Sequence, residues 1–393
     1  MKQLLSEALL LEEELIALRR HLHRYPELSL QESDTADRVK AALAEAGIPF
    51  RERIGGYGIV AELKGEGRDG AVIALRADMD ALPIQEETGL SFASAAPGLM
   101  HACGHDGHTA ILVGAAKLLS GQNFSGTIRL LFQAAEEINS GADAMIAEGV
   151  LDDVDEIYGL HNLPTLSAGK VATRYGALMG AVDRIEIEIE GRGGHGAIPD
   201  QSVDPVVCAS AIVMGLQTIV SRELSPFDPA VVTIGSIHAG EANNVIPHRA
   251  LLTGTVRTFD PVVQQTMEER IGRLVRQIAE GYRCKASLRY ITQVPVLVNH
   301  DPCVGHVEAV VEHMISAENR VEASPTLAGE DFSRYLQHVP GCFFWLGSGP
   351  EENAEAAYGL HHPKYTLNEA CLPLGSALLA SIALERLKKL KSK

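Results

Sequence analysis

Between residues 184 and 190 the chain reads Arg-Ile-Glu-Ile-Glu-Ile-Glu, with apolar and charged residues alternating without a break. Successive side chains of an extended strand point to opposite faces, so this run is a strand with one buried face and one wet face. The sequence on either side of it has a different texture. Upstream, helical runs at about 3–24 and 31–46 precede strand-like runs at Gly58–Leu63, Ala71–Arg76, Thr127–Gln133 and Glu156–Leu160. Helices are expected at Thr109–Ser120 and near Ala142–Glu148, and the run HNLPTLSAG after the last strand reads as a loop. Short apolar strands alternating with helices predict an α/β sandwich on a mostly parallel sheet.

The alternating run opens a different order. Arg184–Glu190, Pro205–Ser221, Ala230–His238, Ala250–Arg257, Pro261–Gly281 and Ala286–Thr292 read strand, helix, strand, strand, helix, strand. That is the ferredoxin-like α+β arrangement, and its wet sheet face and edge strands suit dimerisation. The first texture then returns with a helix at Pro302–Ser316, a strand at Cys342–Leu346 and a C-terminal helix. The expected fold is therefore a two-domain α/β chain. Residues 1–178 and 293–393 form an α/β catalytic domain, and 179–292 form an inserted ferredoxin-like domain. A length of 393 residues suits two cores better than one. The terminal LKKLKSK reads as a solvated helix end, where cations suit the macrodipole.

Composition narrows the partners. Hydrophobic residues at 46% and charged residues at 22% indicate a soluble, globular chain. A formal net charge of -17 argues against nucleic acid, which needs a basic face. It leaves room for an anionic small molecule, because one local arginine can bind a carboxylate inside an acidic protein. Glu7 and Glu12–Glu14 interrupt the N-terminal apolar residues, so no signal-peptide core is expected. No stretch approaches the roughly 18 to 20 uncharged apolar residues of a membrane span. The six cysteines form no CxxC pair, which predicts free thiols and a cytoplasmic location.

The chemistry centres on His101-Ala-Cys103-Gly-His105-Asp106-Gly-His108, which puts five metal-competent side chains in eight residues. Gly104 and Gly107 let the backbone turn between them. Thiolate and imidazole together suit zinc and other borderline transition metals. A structural zinc site would need a second Cys/His pair, and none is present. The alternation of Cys103 and His105 suits a loop pointing both into one pocket, leaving Asp106 or His108 to orient ligands. Gln133-Ala-Ala-Glu136-Glu137 follows a strand, where ligand sites of open α/β sheets lie. Of two such glutamates, one can bind metal and the other move a proton, although an acidic loop would read the same way. Leu160-His161-Asn162 and Leu360-His361-His362-Pro363 add histidines after strand-like or glycine-rich stretches. Asp78 and Asp80, in Leu75-Arg-Ala-Asp-Met-Asp80, could orient a histidine or serve as turn residues. In the inserted domain, Gly191-Arg-Gly-Gly-His195-Gly presents a histidine and fits neither nucleotide-binding glycine pattern. Asn244 and Arg257 are further polar positions near strand ends.

These residues resemble those of the aminoacylase-like metallo-amidohydrolases and metallopeptidases, the family of hippurate hydrolases, N-acyl-amino-acid deacylases and auxin-conjugate hydrolases. The matching runs are RRHLHRYPELSLQE, LRADMDALPI, MHACGHDGHTA, FQAAEE, HNLP, GRGGHGAIPD, NNVIP, GTVRTFD, GEDF and LHHPKY, in family order along nearly the whole chain. MHACGHDGHTA is the specific one. The resemblance implies a metallopeptidase-type catalytic domain holding two divalent metal ions per subunit, with Mn, Zn, Co and Ni all compatible. It implies Cys103, His105, Glu137, His161 and His361 as ligands, with His361 chosen over His362. It implies Glu136 as general base, His195 as oxyanion stabiliser, and Asn244 and Arg257 as substrate-binding residues. The implied reaction is hydrolysis of an N-acyl-L-amino acid to a carboxylate and a free amino acid, with a dipeptidase or carboxypeptidase as the alternative. The implied assembly is a homodimer, or an oligomer built from dimers, through the inserted domain. Ala134 stands where the family often has proline, a change expected to alter the turn little.

Overall fold

The structure is a computed structural model and describes residues 1–66 and 70–391. Ser392 and Lys393, the tip of the expected cationic helix end, lie outside the described residues. The chain divides into two compact units. The first comprises Met1–Gly176, Val298–Ser324 and Asp331–Lys393, and the second Ala177–Leu297 with Pro325–Glu330.

The first unit is built on an eight-stranded sheet. Its order is Phe50–Ile54, Gly58–Lys64, Thr127–Gln133, Val72–Asp78, Glu156–Ser167, Gly341–Gly349, Val171–Thr173, Arg320–Glu322. The sheet is mixed, where the sequence predicted a mostly parallel one. Val72–Asp78 runs parallel to both its neighbours, but Gly58–Lys64 is antiparallel to both of its own. Phe50–Ile54 adds an antiparallel hairpin at one edge, and Gly341–Gly349 is antiparallel to Val171–Thr173 near the other. Central strands are buried on both faces: all seven residues of Val72–Asp78 are covered, including the charged Arg76 and Asp78 at its carboxyl end. The helices His105–Ser120 and Cys371–Lys391 pack together over this core.

Two further elements differ from expectation. The N-terminal helix breaks at Leu11 into Lys2–Leu10 and Glu12–Arg24. The first piece packs on the C-terminal helix and the second mainly on the His105–Ser120 helix, so the break lets each follow its own partner. The strand Glu156–Ser167 continues through most of the expected loop HNLPTLSAG, because Gly341–Gly349 pairs alongside it as far as Ser167.

The second unit carries an antiparallel four-stranded sheet in the order Ala230–Ala239, Arg249–Thr258, Ala181–Glu190, Lys285–Val294. The alternation at 184–190 is resolved as the pattern requires: Ile185, Ile187 and Ile189 are fully buried, and the charged partners face out. Each such isoleucine contributes about 1.5–3 kcal/mol of burial. Both covering helices start at an Asp-Pro step, where Asp204 accepts from Val206 N and Val207 N, and Asp260 from Val262 N and Val263 N. Proline suits the first helical position and each aspartate cap is worth about 1 kcal/mol. The unit is wider than the expected 179–292. Pro325–Glu330 joins it because Gly180 N donates to the carbonyls of Thr326 at 2.8 Å and Ala328 at 3.0 Å.

One expectation about membranes needs correction. The helical stretch Pro205–Glu223 is long and apolar enough, by length and composition, to cross a membrane. Its Cys208, Ala209, Ile212, Leu216 and Ile219 are instead buried in the second unit's core.

Candidate metal centre

The site forms in the first unit, at and beyond the carboxyl ends of its strands, where open α/β sheets leave a crevice. Val72–Asp78 delivers Asp78 and, two residues on, Asp80. Thr127–Gln133 delivers Glu136 and Glu137, and His161 lies within Glu156–Ser167. Cys103 and His105 flank Gly104, which begins the His105–Ser120 helix with φ of 86°. A Cβ on Gly104 would collide with Asn162 Nδ2 and Tyr365 Oη, so both the backbone angle and the space demand glycine.

These side chains converge in overlapping groups. Cys103, His105 and His161 form one, and Cys103, Glu137 and His361 another; within each, the ligand-capable atoms lie within 4.8 Å of one another. His105, Glu136 and Glu137 form a third. Cys103 Sγ is 3.3 Å from His161 Nε2, and His361 Nε2 is 3.6 Å from Glu137 Oε1. His361 adopts φ of 63° and its amide donates to Ala102 O at 2.8 Å, which sets its half-exposed ring beside Glu137. Its neighbour His362 instead stacks on Tyr358 at 4.3 Å between ring centroids.

The surrounding polar groups decide which nitrogens are free. His161 Nδ1 donates to Asn162 O at 2.8 Å, leaving Nε2 toward Cys103. His105 Nδ1 donates to Asp80 Oδ1 at 3.2 Å. His105 Nε2 and Glu137 Oε1 are buried, lack hydrogen-bond partners and face each other at 3.9 Å. Two buried atoms left this way are costly, unless a cation satisfies both. The donor set of thiolate, imidazole and carboxylate is that of a borderline divalent metal. His108 belongs to a further possible group with Asp78 and His105, but both its nitrogens are engaged. Nδ1 donates to Asp78 Oδ1 at 2.6 Å, and Nε2 accepts from Asn162 N at 2.9 Å.

Electrostatics follow from this crowding. Burial alone would lower the His105 pKa, but Asp78, Asp80 and Glu137 outweigh it and raise it to about 10. Burial pushes Glu137 up, and burial together with His108 holds His161 down. Burial also opposes ionisation of Asp78, yet the charges of His105 and Arg76 keep its carboxyl well below the usual range.

Residues 74–385 match the model of peptidase family M20/M25/M40. This chain belongs to that family. The M20 assignment agrees with the motif runs of the sequence and extends along the chain. An N-acetyl-L-cysteine deacetylase of Bacillus subtilis is 43% identical over 371 residues, covering 94% of this chain and 87% of the relative. A thermostable carboxypeptidase of Saccharolobus solfataricus is 37% identical over 381 residues, covering 95% of this chain and 96% of the relative. The crystal structure of a dinuclear metal-binding M20 peptidase of Bacillus subtilis superposes with a TM-score of 0.84 at 38% identity, covering 96% of this chain and 98% of that one.

Of the residues singled out from the M20 sequence, Cys103, His105, Glu136, Glu137, His161 and His361 meet in the first unit. His195, Asn244 and Arg257 belong to the second. His195 and Asn244 sit on a short ribbon in which His195 pairs with Val245 and Gly196 N donates to Asn244 O at 2.8 Å. Arg257 lies on Arg249–Thr258, half-buried, bonded to Thr255 Oγ1.

The sequence reading missed the buried support of this M20 centre. Arg76 donates to Asp78 Oδ2 at 2.6 Å, to Gln133 Oε1 at 2.9 Å and to Asp331 Oδ1 at 2.8 Å. Asn162 donates to Cys103 O at 2.6 Å and accepts from Tyr365 Oη at 2.6 Å and Ser348 Oγ at 3.0 Å. Each of these except Ser348 falls inside a motif run quoted above. Run membership was the only available signal, because the partners lie as far as 255 residues apart.

Proposed function

We propose that this chain is a metal-dependent amidohydrolase that cleaves N-acyl-L-amino acids, such as N-acetyl or N-aroyl derivatives, to a carboxylate and a free amino acid. The observation that carries the reading is the pair of three-ligand groups sharing Cys103, with Glu136 beside them. The deacetylase activity named for a relative of 43% identity supports the bond cleaved. Cys103, His105, Glu137, His161 and His361 would hold two divalent ions, drawn from Mn, Zn, Co or Ni; the dinuclear M20 neighbour supports the count. The chemistry such ions would supply is Lewis acidity toward a water and the scissile carbonyl.

The chain's own residues supply the remaining chemistry. Glu136, largely buried at 7% exposure, takes the proton from the attacking water and returns it to the leaving amine. Asp80 and the Asn162 carbonyl accept from Nδ1 of His105 and His161, so Nε2 is the nitrogen each would turn to a metal, which on His105 takes the place of the proton that the neighbouring carboxylates favour. His195 is assigned to the developing oxyanion, Asn244 to the substrate, and the Arg257 guanidinium to the substrate carboxylate.

A dipeptidase or carboxypeptidase reading uses the same machinery, and the carboxypeptidase relative favours it. The test strips the enzyme with chelator and restores Mn, Zn, Co or Ni singly. Each form is then assayed on N-acetyl-L-cysteine, N-benzoylglycine and dipeptides. N-acyl substrates should turn over fastest. A preference of about tenfold or more for dipeptides would transfer the function to the second reading. No turnover with any metal would sink both.

We further propose that the second unit mediates a homodimer. The helix Pro205–Thr218 exposes Val207 (51%) and Met214 (71%), and Ala230–Ala239 is an edge strand. A cytoplasmic location is supported by the six cysteines, all buried as free thiols.

A further inference from the structure

The run from Arg19 to Glu32 carries part of the family resemblance, yet none of its residues enters a ligand group. It forms the end of the helix Glu12–Arg24 and the turn into the helix Ser33–Glu45. One of its side chains reaches the turn that presents Glu136, and another reaches the Asp80 carboxylate that braces it. Glu32 is fully buried, and its Oε1 accepts from Ala135 N at 2.8 Å. Ser29 Oγ donates to Asp80 Oδ2 at 2.7 Å, and that same oxygen accepts from Glu137 N at 3.0 Å. The amides on either side of Glu136 therefore each end on a carboxylate supplied from elsewhere in the unit.

The turn needs such support. Ala135 holds φ of 58°, a left-handed conformation that a residue with a Cβ avoids unless its surroundings impose it. On the far side Asn139 N closes onto Glu136 O at 2.7 Å and Gly141 N onto Ala135 O at 3.1 Å. Glu32 is what fixes the near side.

We propose that Glu32 is a positioning residue for catalysis: by accepting the Ala135 amide it holds the Glu136 carboxylate in line for proton transfer. This rests on the reading of Glu136 as the base. The working feature of Glu32 is an acceptor oxygen at the right reach rather than a charge. Its second oxygen is buried without a hydrogen-bond partner, and burial pushes its carboxyl up to about 7. Glutamine preserves reach and acceptor while removing the charge. Aspartate preserves the charge and retracts the acceptor by one methylene. Leucine fills the space and leaves the Ala135 amide unpaired.

The experiment measures kcat, KM, metal content and melting temperature for Glu32→Gln, Glu32→Asp and Glu32→Leu in the metal-loaded enzyme. The substrate is whichever of N-acetyl-L-cysteine and N-benzoylglycine turns over faster. Glu32→Gln should keep kcat within about threefold. Glu32→Leu should lose about 100-fold in kcat, with KM and two bound metals unchanged. The loss should shrink to about threefold or less in a Glu136→Gln background, because two residues acting as a unit are not additive. Parental kcat in Glu32→Leu overturns the proposal, as does a loss of equal size in both backgrounds or one that tracks loss of metal. Should Glu32→Leu not fold, the order of the other two decides. Glu32→Gln must exceed Glu32→Asp in kcat by about tenfold, and the reverse order overturns the proposal. Glu136→Gln at the parental rate would instead refute the base assignment, which separates that failure from this one.

Discussion

Asp80 Oδ1 accepts from His105 Nδ1 at 3.2 Å, while its other oxygen takes the amide of Glu137 at 3.0 Å. One buried carboxylate thus orients two candidate ligands that lie 32 residues apart in sequence. Removing it as Asp80→Ala should free the His105 ring and loosen the turn at Glu137. Metal affinity should fall about 10–100-fold, measured by competition with a chelator. Affinity equal to the parent would show that neither ligand depends on Asp80.

Glu136→Ala should retain both metals and lose about 10²–10⁴-fold in kcat, since it removes proton transfer while leaving the ligand set intact. Metal analysis beside the N-acyl amino acid assay checks both halves. Hydrolysis at the parental rate would refute the base assignment.

Gly104→Ala introduces a Cβ where φ is 86° and where Asn162 Nδ2 and Tyr365 Oη already fill the space. The backbone term alone costs about 1–2 kcal/mol, before any collision. The variant should melt lower and bind less metal, because Cys103 and His105 flank the glycine. An unchanged melting temperature would show that the turn can relax around a Cβ.

His23 bridges Asp106 Oδ2 at 2.9 Å and Glu86 Oε1 at 3.3 Å in a buried network completed by Arg19, whose Nε donates to Asp106 at 2.7 Å. Burial opposes ionisation of Glu86, but the bonds from His23, Ser94 N and Thr88 prevail and lower its pKa to about 2. A depressed carboxylate contributes stability above its unfolded value of about 4.3, and that contribution disappears as pH falls from there toward 2. His23 is raised despite its burial, so its share is present below its unfolded value of about 6.5 and is lost as pH rises through the folded one. The parent should therefore outlast Glu86→Gln by the widest margin between about pH 4.5 and 6.5. Melting curves for both proteins across pH 2.5 to 8 check it, and a gap constant with pH would count against the network.

Much of the secondary structure was legible because it rests on local periodicity. The isoleucines at 185, 187 and 189 declare a half-buried strand by themselves, and the Asp-Pro steps at 204 and 260 declare where helices start. Parts that depend on a distant neighbour were not legible. The strand through His161 reaches Ser167 only because Gly341–Gly349 lies beside it, and the sheet is mixed because Gly58–Lys64 and Val171–Thr173 enter it antiparallel to Thr127–Gln133 and Gly341–Gly349.

The same division runs through the site. By itself the sequence determined which chemistry was available: a thiol, imidazoles and carboxylates placed at strand ends and in glycine turns, with the MHACGHDGHTA run marking the family. Spacing singled out Cys103 and His105 in that run and left open whether Asp106 or His108 supports them. The tertiary structure decided the rest, spending both nitrogens of His108 on Asp78 and Asn162 and one oxygen of Asp106 on Arg19 and His23, while Nε2 of His105 is left without a hydrogen-bond partner. The physical reason is that a side chain's reactivity depends on what occupies its hydrogen-bonding positions and how deeply it is buried. Both are set by residues up to hundreds of positions away, which no local spacing encodes.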